Sequence, residues 1–200
     1  MHPSTRITFA RFASLVALLV AVGLPSVARA QHTHGAHEHG AAELTVALEG
    51  RALIVELISP LDNLVGFEHA PASDAQRTAL AEAGRRLRDA GAMFALPAAA
   101  ACKLEHAEIE SPWPMAGTAP ASGQGGHTDA GHGYAQSDLG GHEDVVVTYR
   151  FSCAQPEALN QLEVRAFVQF PRLRELRVEH ATERGQGAAV LVSGAATLAL

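Results

Sequence analysis

Two apolar–polar alternations separated by a glycine turn constrain this chain more than any other feature. Leu44, Val46 and Leu48 alternate with more polar or smaller neighbours over 43–49, and Leu53, Val55 and Leu57 do the same over 52–58. Successive side chains of an extended strand point to opposite faces, so a period of two gives each run one apolar face. Gly50 supplies the positive φ of a tight turn, and Pro60 stops the second run. The pattern predicts an antiparallel strand pair with one buried face.

The first thirty residues are of another kind. Arg6 and Arg11 precede an apolar run over 12–24, and Ala28, Arg29 and Ala30 close it. A basic start, a short apolar core and an A-x-A end describe a secretory signal. The run is short for a bilayer span, so we expect cleavage after Ala30, export, and no stable membrane insertion afterwards. Cleavage at that point removes three arginines and no acid, leaving 12 basic against 21 acidic residues. Such a balance argues against nucleic acid, which requires a basic face.

Both cysteines, Cys102 and Cys153, lie in the exported part, where an oxidising compartment favours a disulfide. Opposing them in antiparallel strands 102–110 and 144–153 sets Leu104 against Phe151, His106 against Tyr149 and Glu105 against Arg150. Apolar residues then meet on one face and opposite charges on the other. Val145, Val147, Tyr149 and Phe151 form the inward set, with His106 on their face. The segment 111–143 becomes a loop at the hairpin tip. It carries Pro112, Pro114, Pro120, many glycines and no apolar period, so it is expected to be a long disordered loop. A hairpin loop of that length points to a function.

Ser73 and Gln76 have the spacing of a capping box, and Leu80, Ala83, Leu87 and Ala90 then line one stripe. The spacing predicts a helix from about 74 to 90, with Gly91 at its C′ position. Leu162, Val164, Ala166, Val168 and Phe170 alternate as a strand up to Pro171, and Leu176, Val178 and His180 as another. Residues 188–193 and 197–200 read as a closing hairpin about Ser193 and Gly194. The whole is an α+β chain: a mostly antiparallel β single domain over 43–200 with one main helix, preceded by a histidine-rich tail over 31–42.

The chemistry lies in the histidines. His32 and His34, and His37 and His39, are spaced i, i+2, so each pair projects to one side of an extended chain and can approach one ion. Glu38 adds a carboxylate. His127, His132 and His142 repeat this chemistry in the 111–143 loop. Neutral imidazole is a ligand for zinc, copper and nickel, so two such segments point to divalent metal binding. His69, beside Glu68, and His106 lie in ordered segments and are candidates for a tighter site on the body. His180 and His106 can equally be satisfied core histidines. The chain contains no H-E-x-x-H, G-x-S-x-G or phosphate loop, so no enzyme is expected.

The stretches HEHG at 37–40, LTVALEGRALIVELISP at 44–60, NLVGFEHAP at 63–71 and FVQFP at 167–171 resemble the ZrgA-type periplasmic zinc-uptake proteins. The resemblance covers most of the exported chain. It implies a periplasmic protein that captures or buffers Zn²⁺ and assists its delivery to an ABC-type zinc importer. It also implies a histidine-rich insertion between the cysteine-bearing strands, which here holds only three histidines. The alternative is a copper- or nickel-binding protein of tolerance or storage, because copper outcompetes zinc at most imidazole sites.

Overall fold

The computed structural model describes residues 38–116 and 144–200. Along the chain these form β1 (Ala41–Glu49), β2 (Ala52–Pro60), α1 (Leu61–Val65), α2 (Asp74–Arg88), α3 (Ala90–Met93) and β3 (Phe94–Ala95). They continue with β4 (Cys102–Glu110), β5 (Asp144–Cys153), β6 (Gln161–Val164), α4 (Ala166–Gln169), β7 (Glu175–Thr182), β8 (Gly185–Val192) and β9 (Thr197–Ala199).

The two opening alternations form the antiparallel pair that their period requires, with Leu44 opposite Leu57, Val46 opposite Val55 and Leu48 opposite Leu53. They stand at the centre of a six-stranded sheet of order β4-β5-β2-β1-β7-β8. A second sheet, β3-β6-β9, has three short strands. One face of the large sheet is apolar. Leu53, Val55 and Leu57 are fully buried there beside Phe151, Tyr149 and Val147 of β5. Leu80, Ala83 and Leu87 of α2 belong to the same core. Full burial of each such leucine contributes about 1.5–3 kcal/mol before the entropy of ordering is counted. Tyr149 spans the layers: its hydroxyl donates to the carbonyl of Leu87 at 2.6 Å, and Phe94 meets its ring edge-on at 5.1 Å. Burial raises the pKa of that phenol, so it stays protonated as a donor.

The disulfide forms as expected, and Cys102 faces Cys153 in the ladder. Leu104 also faces Phe151. The expected register then fails at one residue. A bulge between Leu104 and His106 takes Glu105 out of pairing, so His106 faces Arg150 and Ala107 faces Tyr149. One extra residue exchanges faces for everything beyond it. His106 therefore points to the open face of the sheet, with its side chain 64% exposed, and is not an inward histidine.

Three details differ from expectation: the residue after the helix, the run 161–170 and the closing hairpin. The helix stops at Arg88, where Asp89 ends α2 and caps α3 by accepting from the Ala92 N–H. Gly91 thus lies inside α3 and is not the C′ residue. The run 161–170 is β6 followed by α4, because the buried Ala166, Phe167 and Phe170 have helical spacing while Val168 is 77% exposed. The expected closing hairpin is divided between sheets: β8 pairs with β7, and β9 with β6. The sheet is mostly antiparallel, as expected, with one parallel pair: β1 and β7 are neighbours, with Leu44 beside Val178.

The start of the expected loop is folded against α2. Met115 is buried, and Arg88 donates to the Ala116 carbonyl at 3.2 Å. A Cβ on Gly84 would stand 2.7 Å from the Ala116 nitrogen, so this helical position admits only glycine. Residues 117–143, the signal-like 1–30 and the tail up to His37 lie outside the described residues.

Candidate metal site

The last residues of the histidine-rich tail are built into the body at one end of the large sheet. Glu38 to Ala41 form a turn closed by the Ala41 N–H on the Glu38 carbonyl at 3.0 Å. Gly40 has φ +94°, a conformation that side chains disfavour. Its N–H donates to Asn63 Oδ1 at 2.6 Å, and its carbonyl accepts from the N–H groups of Arg174 and Glu175. The buried Asn63 amide also donates to the Ala41 carbonyl at 2.8 Å and to Ser59 Oγ at 3.3 Å. The short α1, which follows Pro60 directly, places Asn63 and Asp62 under this turn.

His39 sits on the turn with its Nδ1 3.3 Å from Asp62 Oδ2. The imidazole is largely exposed and the carboxylate is nearly buried. Arg172 reaches across from a distant part of the chain. Its Nη2 donates to both Asp62 oxygens at 2.9 and 2.8 Å, and its Nε donates to the Asp62 carbonyl at 2.9 Å. Burial pushes the Asp62 carboxyl up, but the hydrogen bonds and charges of Arg172 and His39 outweigh it and hold the group below its ordinary value. A cleft of about 240 Å³ opens here, lined by His39, Gly40, Asp62, Pro171, Arg172 and Arg174.

The geometry gives Asp62 and His39 different tasks. Arg172 occupies both carboxylate oxygens, so Asp62 is poorly placed to ligate an ion. An anionic carboxylate beside Nδ1 is instead suited to hold that nitrogen protonated and leave the Nε2 lone pair to a metal. Neither Asp62 nor Arg172 was among the residues the motifs singled out. Asp62 adjoins the NLVGFEHAP stretch and Arg172 follows FVQFP, so adjacency to those stretches was the only available signal.

The other candidates are scattered. Glu38 is ion-paired with Arg177, which also holds Glu175. His69 is exposed; its ring stacks on Phe67 at 5.2 Å, and its Nδ1 lies 2.9 Å from the Ala70 carbonyl. Glu68 has one buried oxygen, Oε1, without a hydrogen bond among the described residues. His106 stands on the open sheet face with Nε2 3.8 Å from Glu108 Oε2. His180 faces Gly187 from the inner side of β7, and its Nδ1 is buried without a partner among the described residues. His32, His34, His37, His127, His132 and His142 lie outside the described residues. Among the described residues, no three histidines, cysteines or carboxylates come together to hold a metal. No helix among them is long and apolar enough to cross a membrane.

Two comparisons bear on these observations. No curated protein matches the chain. The model of the ZrgA family zinc uptake protein matches residues 36–200, which include the histidine turn, both sheets and the disulfide.

Proposed function

Because the chain belongs to the ZrgA family of zinc uptake proteins, we propose that it is exported to the periplasm, captures or buffers Zn²⁺ there and assists its passage to an ABC-type importer. It acts by binding and not by catalysis. The observation that supports this reading is topological. β1 begins at Ala41, β5 begins at Asp144, and β2 lies between them with Pro60 opposite Asp144. Neighbouring strands are about 4.8 Å apart, so the two histidine-bearing segments join the body roughly 10 Å from each other.

In this reading His39, oriented by Asp62, supplies a fixed imidazole. Histidines of 31–37 and 127–142 complete the four-coordinate sphere that zinc prefers. Glu68, His69 and His106 contribute at most weaker sites of their own. A fixed first ligand reduces the ordering entropy that a ligand set on flexible chain would otherwise lose on binding.

Calorimetric zinc titration against a competing chelator tests the reading. His39→Ala should weaken the tightest site by about tenfold or more, as loss of an orienting or ligating group does. The double variant His69→Ala/His106→Ala should leave that site in place. The opposite pattern would move the site to the open body and sink the proposal. A strain lacking the gene should grow poorly only when zinc is withheld, and recover with added zinc.

A further inference from the structure

The large sheet has two edges of opposite character. β4 carries Lys103, Glu105, His106, Glu108 and Glu110, together with the bulge before His106. Charges and bulges on an edge strand stop it from accepting another strand. β8, GQGAAVLV, has neither charge nor proline, and its eight residues pair with β7 without a register break. All of it is exposed except Ala189 and Leu191, and Val190 and Val192 are 61% and 42% exposed. The Val192 N–H bonds to the Ala195 carbonyl and not to β7. In an antiparallel ladder such outward residues alternate, so the backbone groups of Gln186, Ala188 and Val190 also point away from the sheet.

We propose that β8 pairs with β8 of a second copy of this chain, antiparallel about a two-fold axis, joining two six-stranded sheets into one. Three features commit the edge to that occupant. An uncharged strand meets its own image without like charges opposing. Two-fold antiparallel pairing sets even residues against even, so the exposed valines and alanines of one copy face those of the other. The charged and bulged β4 prevents the head-to-tail contact, β8 on β4, that would propagate as a fibre, which leaves the closed dimer.

Sedimentation velocity over a range of concentrations tests this on the purified protein, with its N-terminus defined by mass spectrometry. Each run is made both with and without excess EDTA. The expected result is a dimer that dissociates on dilution. Val190→Lys puts a charge opposite its own image, and Ala188→Pro removes an outward N–H while leaving the β7 ladder intact. Each should raise the dissociation constant by about tenfold or more, with circular dichroism unchanged. His106→Lys, on the other edge, should leave it unchanged. A monomer at the highest concentration overturns the proposal, as does a dimer indifferent to both β8 variants. A dimer seen only without EDTA also overturns it, since that dimer is bridged by metal.

Discussion

His39 and His106 are both exposed histidines within two residues of a glutamate, yet the fold treats them differently. His39 stands on a turn held by the Asn63 amide, and its ring faces a nearly buried Asp62 that Arg172 keeps ionised. His106 stands on an edge strand with only Glu108, 3.8 Å away and itself exposed. A carboxylate already desolvated and paired stays put, whereas two exposed side chains must lose rotamer freedom to meet. The lesson is that an imidazole is held in one orientation through the group behind it.

Several experiments would break or sharpen this contrast. The largest effect is expected from the disulfide, which pins β4, the strand of His106, at the end of the sheet away from His39. With the cysteines separated by 51 positions in sequence, replacing both by serine should cost about 4 kcal/mol in chain entropy, read by denaturant unfolding. The tight zinc site should keep its affinity in molecules that remain folded. Asn63→Ala acts at the other end. It leaves the Gly40 N–H and the Ala41 carbonyl without a partner, so we expect a loss of roughly 2–4 kcal/mol together with weaker zinc binding. If zinc affinity survives that substitution, the turn does not position His39.

Asp62→Asn keeps the shape and removes the charge. Zinc affinity should fall by about tenfold, while His106→Ala should change it by less than about twofold. Equal effects would erase the contrast. The smallest effect is in pH. Asp62 has a folded pKa below its ordinary 3.8. Its pairing therefore stabilises the fold above that value, and the contribution is lost as pH falls through the lower folded value. Zinc should leave earlier, below about pH 6, as the imidazoles protonate. A titration following both fold and metal should show two separate acid transitions in the wild type. The acid loss of stability due to Asp62 should vanish in Asp62→Asn.

Much of the fold is legible because its signals are local. The period of two, the turn glycine, the Ser73 cap and the cysteine pairing each act within one or two elements, so the β1–β2 pair, the start of α2 and the start of β4–β5 follow from residue pattern alone. Metal-binding capacity is equally a matter of histidine spacing. The bulge at Glu105 was not legible, because inserting one residue leaves the alternation on either side intact while exchanging faces. The parallel pairing of β1 with β7, and the parting of β8 from β9, depend on contacts between distant segments that no local period encodes. Asp62 and Arg172 lie 110 residues apart. Composition and spacing by themselves determined which residues are candidates for a metal and where most of the strand signals lie. Only the tertiary structure decided which histidine has a charged, desolvated partner behind it, because desolvation and ion pairing arise only when remote segments pack together.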